Sequence, residues 1–481
     1  MRWNLCRISL WSSVVATGLI AANTSRAAEP APPRATTSTT FVVEASAAEA
    51  PANAVDGAAK QPTTHREAKR VVLRDTKANR TLQTFCIGPD GRLFGVVAKS
   101  FYDGAGHADG GEIRVLDANG KETATWPIKF APQRIAAAPD GSVYVGGSGR
   151  LLRLSAEGKA LAEVDSPHLK VVLADKAALR KAAEEQHSEN IRQYEDQLKS
   201  FDEQVKSLQE RLKEEQSRKS KTSNADDKPT DDKNPAQSGL SISFFGGAGD
   251  DVSIKSQLQQ FQQIQNTYKR MLEEQKKKSL EDVEREIASR LQRIHGIAAS
   301  DKAVYVATAM SKGYGYEVWR MDADFSNAKP IISGLSGCCG QIDIQARDAE
   351  LFVAENSRHR VVRYDAEGKK LGAWGKRDRE GAAGGFGGCC NPMNLCFAGD
   401  GSVVTSESEG MLKKFSPDGK FAGLICSAKV GGGCKNVAAA MSADGKHAYF
   451  YDQGGSQIIV FNRVDSAEEP KDRAAESKPI Q

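Results

Sequence analysis

The side chains best suited to chemistry in this 481-residue sequence are its cysteines, and they are unevenly distributed. Seven of the nine lie beyond residue 337, most of them in glycine-rich strings. Three such strings contain the candidate ligands: Ser336-Gly337-Cys338-Cys339-Gly340-Gln341, Gly387-Gly388-Cys389-Cys390-Asn391-Pro392 and Gly432-Gly433-Cys434-Lys435-Asn436. A cysteine thiolate is a nucleophile, a disulfide precursor and a soft metal ligand, so clustered cysteines predict one of these chemistries.

Three interpretations of Cys338, Cys339, Cys389, Cys390 and Cys434 stay open from the sequence. Loss of Cys6 with the predicted export signal would leave eight cysteines, and an even number in an exported protein ordinarily indicates structural disulfides. A thiolate-bound metal (Zn or Cu(I)) or an Fe–S cluster is the second interpretation, since soft thiolates suit these metals. Buried thiols that fill small spaces beside glycines are the third. The sequence has no Cys-x-x-Cys and no haem attachment motif, so the cofactor is left unknown.

The cysteine strings occupy a fixed place in a longer repeat. A hairpin turn built on Asp-Gly or a related pair recurs between apolar strands, with spacings of 44 to 52 residues and one of 161. The turns are Asp90-Gly91, Asp140-Gly141, Asp301-Lys302, Asp348-Ala349, Asp400-Gly401 and Asp444-Gly445. A period of about 40 to 50 residues with about four strands is typical of a β-propeller blade.

Alignment of the repeats on their turns predicts where the cysteines lie. Cys338, Cys390 and Cys434 each lie ten residues before the turn aspartate of their repeat, in the loop that enters a blade's innermost strand. In a propeller these loops crowd one mouth of the central channel. The sequence therefore predicts that three successive blades bring five cysteines to one rim.

The repeat also resembles a known family. The string Glu355–Lys369, followed by Gly372-Ala373-Trp374-Gly375, resembles an NHL repeat, and Leu412–Lys420 and Leu152–Lys159 match it more loosely. The resemblance covers about residues 69–165 and 295–465. It implies an all-β six-bladed propeller, a fold that is used by binding proteins and by enzymes.

The fold class that we expect is this propeller with an inserted α-helical antiparallel coiled-coil hairpin. Blades 1 and 2 are predicted in residues 69–168 and blades 3 to 6 in residues 295–465. The strand Arg70–Arg74 is expected to complete blade 6, which would remove the exposed sheet edges of an open array.

The insertion, residues 169–294, shows a different periodicity from the blades. Its apolar residues recur at alternating steps of three and four, as in a coiled-coil seam. The first helix has the seam Ile191, Tyr194, Leu198, Phe201, Val205, Leu208 and Leu212. The second stretch has Ile254, Leu258, Phe261, Tyr268, Leu272, Val283, Ile287, Leu291 and Ile294. Between them, about residues 217–250 are predicted to form a disordered tip.

Three apolar residues interrupt that otherwise polar and charged tip. Ile242, Phe244 and Phe245 could fold back on the helices, or they could bind a partner. We take them as candidate partner-binding residues.

The N-terminus has the pattern of an export signal over residues 1–27. Arg2 and Arg7 flank the start of a short apolar stretch, and small residues precede a cleavage position after Ala27. Residues 28–68 are predicted to form a disordered Ala/Pro/Thr-rich linker, and residues 466–481 a disordered tail. We expect a periplasmic or secreted protein with no transmembrane segment once the signal is removed.

Composition and motifs narrow the function classes. The formal net charge is +4, of which three charges belong to the export signal, so nucleic acid is not an expected partner. We expect a binding scaffold that reaches a partner protein through the stalk or the propeller face. The alternative is a metal or Fe–S redox protein that uses the cysteine rim. A third alternative is a propeller hydrolase or lyase, although no catalytic triad or phosphate loop is visible, and enzyme activity stays undecided.

Overall fold

The computed structural model describes residues 39–44, 62–100, 110–223, 249–311, 313–378, 384–431 and 435–464. By their contacts the residues divide into two compact units, residues 1–174 with 288–481, and residues 175–287. Several predicted features lie outside the described residues: the export signal predicted in residues 1–27, the tail predicted in residues 466–481, the candidate ligand Cys434 and the tip residues Ile242, Phe244 and Phe245.

The first unit consists mainly of antiparallel strands in groups of four. Two N-terminal strands precede the groups, β1 (Thr39–Glu44) and β2 (His65–Asp75). The first group is β3 (Arg80–Ile87), β4 (Leu93–Ala98), β5 (Gly111–Leu116) and β6 (Glu122–Ile128). The second group is β7 (Arg134–Ala137), β8 (Val143–Gly147), β9 (Arg150–Leu154) and β10 (Ala160–Asp165).

The remaining groups follow a helical segment. The third is β11 (Ile294–Ala299), β12 (Val304–Ala309), β13 (Tyr316–Met321) and β14 (Lys329–Leu335). The fourth is β15 (Asp343–Arg347), β16 (Glu350–Glu355), β17 (Arg360–Asp365) and β18 (Lys370–Trp374). The fifth is β19 (Asn394–Phe397), β20 (Val403–Ser406), β21 (Met411–Phe415) and β22 (Phe421–Ser427). The last strands are β23 (Ala439–Met441), β24 (His447–Asp452) and β25 (Gln457–Arg463).

The last three strands obtain their fourth strand from the N-terminal part of the chain. β2 pairs antiparallel with β25, with Val71 opposite Ile458, and β1 pairs with β2. Arg74 also lies opposite Thr81 of β3, so this group and the first group belong to one nine-stranded sheet. β1 and the start of β2 fall in residues 28–68, which the sequence predicted to be a disordered linker. Backbone pairing with an existing sheet edge orders them, and the run Phe41-Val42-Val43 gives β1 residues that favour strands.

The turn between the first and second strands repeats a local geometry. Asp90 and Asp400 each accept a hydrogen bond on Oδ1 from the backbone N–H two residues later, at 3.1 Å in both cases. The glycine between donor and acceptor has a positive φ of 82° or 83°, which a residue with a Cβ adopts only with strain. The Asp-Gly pairs of the sequence are thus hairpin turns.

The apolar core lies between consecutive groups of strands. Phe94 and Trp126 of the first group pack with Val145 of the second, and Tyr449 of the last group packs with Leu82 of the first. The first strands of the groups contact each other in the order β3, β7, β11, β15, β19, β23 and again β3. Both faces of each group are therefore covered, which is why strands such as β4, β8 and β12 are buried along their whole length. This circular packing is that of a β-propeller.

Side chains of the first strands tie neighbouring groups together. Asp343 Oδ2 accepts a hydrogen bond from the backbone N–H of Leu395 at 2.8 Å, and so joins β15 to β19. Gln133 makes the same kind of bond to Ile294, at 2.9 Å. Burial raises the pKa of Asp343 to about 6, against the opposing effect of this hydrogen bond. The bond of Asp343 helps to fix how the fourth and fifth groups face each other, and a cysteine loop precedes each of those groups. The bond of Gln133 joins the second and third groups in the same way.

Between β10 and β11 the described residues form four helices: α1 (Pro167–Ala174), α2 (Lys176–Ser223), α3 (Gly249–Lys277) and α4 (Leu280–Leu291). Within the second unit, α2 and α3 run antiparallel. The rings of Tyr194 and Tyr268 lie 5.9 Å apart, and those of Phe201 and Phe261 lie 6.3 Å apart. In the described part of the chain, no helix is long and apolar enough to cross a membrane.

The helices depart from the sequence prediction at three places. The second helical stretch is interrupted after Lys277, because Ser279 Oγ accepts the backbone N–H of Asp282 and donates to its carboxylate, a helix-starting arrangement. Ile294, predicted to end the helical seam, is the first residue of β11. α2 reaches Ser223 and α3 begins at Gly249, so both helices enter the segment 217–250 that was predicted to be disordered.

Candidate thiolate site

Two loops of the propeller bring four cysteines together. The loop between β14 and β15 carries Cys338 and Cys339, and the loop between β18 and β19 carries Cys389 and Cys390. Cys390 Sγ lies 2.7 Å from Cys338 Sγ and 3.8 Å from Cys339 Sγ, and the Sγ atoms of Cys338 and Cys339 are 3.5 Å apart. Cys389 Sγ is 3.1 Å from Cys390 Sγ. We refer to Cys338, Cys339 and Cys390, whose sulfur atoms all lie within 4.8 Å of one another, as the thiolate site.

The structure places the other described cysteines elsewhere. Cys86 lies in β3, Cys396 in β19 and Cys426 in β22. Burial raises the pKa of each of these thiols far above the ordinary range, which keeps them protonated. Cys396 and Cys426 are buried in the apolar cluster that also contains Cys390, and Cys86 packs against the cluster of the first group.

The first cysteine loop is a tight turn held by the side chain of Asn356. Cys339 has a left-handed backbone with φ 57°, and the N–H of Gln341 donates to the carbonyl of Cys338 at 3.1 Å. Asn356 Oδ1 accepts the backbone N–H of Cys338 at 2.7 Å. Gly337 has no space for a side chain, since a Cβ there would lie 2.3 Å from the carbonyl oxygen of Gln341. The backbone thus fixes the directions of both cysteine side chains.

A buried carboxylate supports each cysteine loop. Glu355 Oε1 accepts the backbone N–H of Ser336 at 3.1 Å, and its other oxygen accepts from Arg360 Nε at 2.5 Å. Glu407 Oε2 accepts the backbone N–H of Gly387 at 3.2 Å, and its Oε1 lies 2.5 Å from Lys413 Nζ. Glu355 is 1% exposed and Glu407 is fully buried, so each carboxylate depends on its cation and on the loop amide for compensation.

The second cysteine loop has further fixed points around Asn391. Asn391 Nδ2 donates to the carbonyl of Gly387 at 2.9 Å and to Glu409 Oε2 at 2.6 Å. Its Oδ1 accepts the backbone N–H of Ser408 at 2.9 Å. Lys413 Nζ also donates to the carbonyl of Gly385 at 2.7 Å. Both ends of the Cys389-Cys390 segment are therefore anchored to the strand hairpin that follows it.

The thiolate site has one apolar side and one solvent-facing side. Cys390 is fully buried in the apolar cluster between the fifth and last groups, with Met393 and Val437. Cys338 and Cys339 pack against the same cluster while they are partly exposed, and Cys389 is exposed. A charged thiolate against apolar surface is unfavourable unless a cation compensates it.

His359 is a titratable base beside the second cysteine loop. Its Nε2 lies 3.4 Å from the carbonyl of Gly388, in the second cysteine loop. Burial lowers the pKa of His359, while the Gly388 carbonyl and the charge of Cys338 oppose that shift. A carbonyl of the second cysteine loop thus holds the ring of His359.

Two of the three sulfur separations suit a shared ligand and one does not. A metal with bonds of about 2.3 Å to sulfur separates tetrahedral thiolates by about 3.8 Å, a value near the two distances from Cys339, 3.5 and 3.8 Å. The 2.7 Å between the sulfurs of Cys338 and Cys390 is shorter than that and nearer to the S–S bond of a disulfide, which is about 2.05 Å long. The convergence of three sulfurs therefore suits a metal ion, and the Cys338–Cys390 distance suits a disulfide.

Comparison with known proteins gives no identity. No protein-family model matches the sequence, and no curated protein matches it. The structure is similar to the WD40 domain of Pan2 from Neurospora crassa, at 8% identity and a TM-score of 0.35, over 81% of this chain and 91% of that one. It is similar to the same degree to the β-propeller domain of Cps50 (Swd1) from Myceliophteria thermophila, over 80% of this chain and 97% of that one. Similarities this distant carry no argument about function.

Glu355, Asn356, His359, Glu407 and Asn391 are site residues that the cysteine pattern did not predict. A sequence signal for two of them exists: Glu355 and Glu407 each lie seven residues after a turn aspartate, Asp348 and Asp400. The corresponding residues of the other four repeats are Val97, Gly147, Thr308 and Tyr451. The glutamate is thus confined to the two repeats that carry adjacent cysteine pairs.

Proposed function

We propose that the chain is an exported six-bladed β-propeller of the NHL type that binds a soft metal ion through the thiolate site. The observation that carries this proposal is the convergence of Cys338, Cys339 and Cys390, with all three Sγ atoms within 4.8 Å. The propeller acts as the scaffold, since the two contributing loops belong to neighbouring groups of strands. The metals in question are those that thiolates select, Zn, Cu(I) or iron in an Fe–S cluster.

The support around the loops favours a metal over a disulfide. A disulfide holds its own loops together, whereas a metal site must offer correctly placed ligands before the ion arrives. Here the hydrogen bonds of Asn356, Glu355 and Glu407 fix the loop backbones independently of any sulfur bond. This preorganisation is what a binding site for an external ion requires.

The test is metal analysis and thiol counting on protein purified from the periplasm without chelator. We expect near-stoichiometric metal in the wild-type protein and its loss in the triple variant Cys338→Ser, Cys339→Ser, Cys390→Ser. The matched control is Cys86→Ala, which removes a partly buried thiol from β3 and leaves the metal content unchanged. Metal-free protein whose loop cysteines are oxidised would overturn the proposal and make these residues structural disulfides.

A second function, protein binding, is favoured by the independence of the helical unit. Residues 175–287 form a compact unit of their own, in which Phe201, Val205 and Leu272 bury the apolar seam. The apolar seam is thus buried within the unit and is not available to a partner. An interaction arm of this kind would contact its partner through the tip residues Ile242, Phe244 and Phe245. The test is chemical cross-linking to the partner protein. Deletion of residues 176–286 should abolish capture of that partner and leave the metal content of the propeller unchanged. Unchanged capture would refute the role of the arm.

A further inference from the structure

We propose that Arg290 and Tyr314 form a binding site for a carboxylate side chain of a partner protein, presented on an acidic peptide segment. The inference goes beyond the proposed functions, since it requires neither a bound metal nor the tip of the helical unit. Both residues belong to the first unit, which contains the propeller. The inference is drawn from a guanidinium whose charge is not compensated and from an exposed tyrosine beside it.

The guanidinium of Arg290 has no counter-charge among the described residues. Arg290 lies partly buried in the last turn of α4, and its Nε is buried without a hydrogen-bond partner. Its Nη2 donates to the carbonyl of Met310, over a long 3.5 Å. Burial lowers the pKa of Arg290, and the groups that oppose this shift are the phenols of Tyr314 and Tyr316, not a carboxylate. Because an unpaired charge is costly to bury, a ligand with a negative charge would be stabilised here.

The end of α4 compensates this charge only in part. A helix C-terminus is equivalent to about half a negative charge, which leaves a guanidinium in excess. The carbonyl of Leu291 accepts from His168 Nε2 at 2.7 Å, and that of Gln292 accepts the backbone N–H of Gly149 at 2.6 Å. These carbonyls therefore serve other donors, and the guanidinium of Arg290 turns to the loop after β12 instead.

Arg153 shows what a compensated arginine looks like in the same propeller. Its Nη2 lies 3.0 Å from Asp140 Oδ2, and its Cζ lies 5.6 Å from the ring centre of Tyr144. Arg290 has aromatic neighbours of the same kind but lacks the carboxylate. A carboxylate from a ligand would complete the set, and arginine binds carboxylates through strong charge-assisted hydrogen bonds.

Tyr314 makes a peptide a better ligand than a free carboxylate ion. Its side chain is 72% exposed, in the loop between β12 and β13. The ends of that loop are joined, since the backbone N–H of Met310 donates to the carbonyl of Gly315 at 3.0 Å. Tyrosine and arginine are the residue types that supply much of the binding energy in protein interfaces. The phenol ring offers apolar area to a peptide, and its hydroxyl can donate to the carboxylate.

The site is connected to the first cysteine loop through Tyr316. A Cβ at Gly337 would lie 2.5 Å from Tyr316 Cε2, so the ring packs directly on that loop. The same ring lies 4.8 Å from that of His295, whose Nδ1 donates to the carbonyl of Gly340 at 2.9 Å. A partner bound at Arg290 would therefore lie on the side of the propeller that carries the first cysteine loop.

The first experiment measures peptide binding to full-length protein by fluorescence anisotropy at low salt. The probe is a rhodamine-labelled heptapeptide that contains glutamate, and its comparison peptide has glutamine in place of each glutamate. We expect the glutamate peptide alone to bind, with an affinity that falls as salt is added. Arg290→Gln should weaken binding at least about tenfold, the loss expected for a hydrogen bond to a charged group. Arg153→Gln is the matched control and should bind as the wild type does.

A second measurement separates a binding role of Arg290 from a structural one. Arg290→Met removes the charge and keeps an apolar side chain in its place. Without peptide, we expect its urea midpoint to equal or exceed that of the wild type, because the cost of the unpaired charge is removed. A clearly lower midpoint would show that Arg290 stabilises the fold, and it would overturn the proposal.

The peptide experiment can overturn the proposal in two further ways. Equal binding of the glutamate and glutamine peptides, or no binding of either, would exclude a carboxylate site. Displacement of the peptide by acetate at the same carboxylate concentration would indicate a site for small carboxylates and overturn the docking role of Tyr314. None of these results depends on the metal content of the protein, so this inference and the proposed function fail independently.

Discussion

Glu355 and Glu407 occupy the same position in successive repeats, and each accepts a backbone N–H from the loop that carries an adjacent cysteine pair. Each is paired with a cation from the next strand of its own group, Arg360 or Lys413. The pairs differ in environment, because the Arg360 side chain is 29% exposed and that of Lys413 only 2%. Each loop is therefore held by a buried carboxylate that is paired with a cation. Loss of the cation should destabilise the second loop more than the first, because Lys413 is the more buried of the two cations.

The first prediction is that Lys413→Met strongly destabilises the propeller. The substitution keeps the length of the side chain and leaves the fully buried carboxylate of Glu407 without its cation. Removal of one partner of a buried ion pair costs about 3–5 kcal/mol in free energy of unfolding. Urea denaturation followed by tryptophan fluorescence measures this change.

The matched comparison is the double variant Glu407→Gln, Lys413→Met. The neutral amide can still accept the N–H of Gly387, and no uncompensated charge remains buried. We expect the double variant to recover most of the lost stability. A double variant that is as unstable as Lys413→Met alone would show that the cost arises from packing and not from charge.

The second prediction concerns acid sensitivity at His168. Its Nδ1 lies 2.7 Å from Ser166 Oγ and its Nε2 lies 2.7 Å from the carbonyl of Leu291, so the ring joins the start of α1 to the end of α4. Burial lowers the pKa of His168 to about 4 from its ordinary value of 6.5, although the Leu291 carbonyl opposes the shift. The imidazole is therefore neutral in the folded protein at pH 7.

The sign of the pH dependence follows from that shift. Between pH 6.5 and 4 the unfolded chain binds a proton at His168 and the folded chain does not, so this group makes the free energy of unfolding fall as pH decreases. The loss reaches about 3 kcal/mol near pH 4. Urea denaturation at pH 7 and at pH 4.5 should show a smaller decrease in His168→Gln than in the wild type. An equal decrease in both proteins would contradict the prediction.

The third prediction separates two costs of a side chain at a turn glycine. Gly419 has φ 88°, and a Cβ there would lie 2.3 Å from Trp374 Cγ of the preceding group. Gly445 has φ 67° and open space around the same position. Gly445→Ala should therefore show only the backbone cost, about 1 kcal/mol. Gly419→Ala should lose about 1–3 kcal/mol more, because the indole must move.

Thermal unfolding of the two alanine variants measures the difference. Equal midpoints would show that Trp374 moves aside without cost. Gly158 stands in the same relation to Trp126 of the first group, with a Cβ 2.4 Å from the indole. Gly158→Ala should thus behave as Gly419→Ala does, which tests whether the contact is a general feature of the repeat.

The positions of turns and cysteines could be predicted from sequence because they follow local rules. An Asp-Gly pair fixes its own hairpin through one side-chain bond and one positive φ, as at Asp90 and Gly91. The offset of ten residues from Cys338 and Cys390 to their turns then placed both in equivalent loops. The meeting of their sulfurs follows from that equivalence and from the packing of neighbouring groups.

The supporting residues could not be predicted by the same reasoning, because their partners are distant in sequence. Glu407 is recognisable only when the backbone of Gly387, twenty residues earlier, is known to approach it. The interruption after Lys277 escaped the heptad pattern, since apolar spacing continues through Val283 and Ile287 regardless of the cap at Ser279. Strand β1 is ordered by pairing with β2, a partner that the local pattern Phe41-Val42-Val43 does not specify.

The fourth prediction concerns oxidation of the metal-free protein by a small-molecule disulfide, oxidised glutathione. Cys338 and Cys390 have the shortest described sulfur separation, 2.7 Å, and they belong to different loops. Attack by one thiolate gives a mixed disulfide, and attack by the other closes the protein disulfide, with two glutathione thiols released. Bridges within the adjacent pairs are disfavoured because their geometry is strained. We expect Cys338–Cys390 as the main product in non-reducing peptide mapping, and protection of both residues in copper-loaded protein. In Cys390→Ser the reaction should stop at glutathione on Cys338. Any other main pairing would contradict the predicted disulfide. Equal oxidation with and without copper would show that bound metal does not protect the thiolate site.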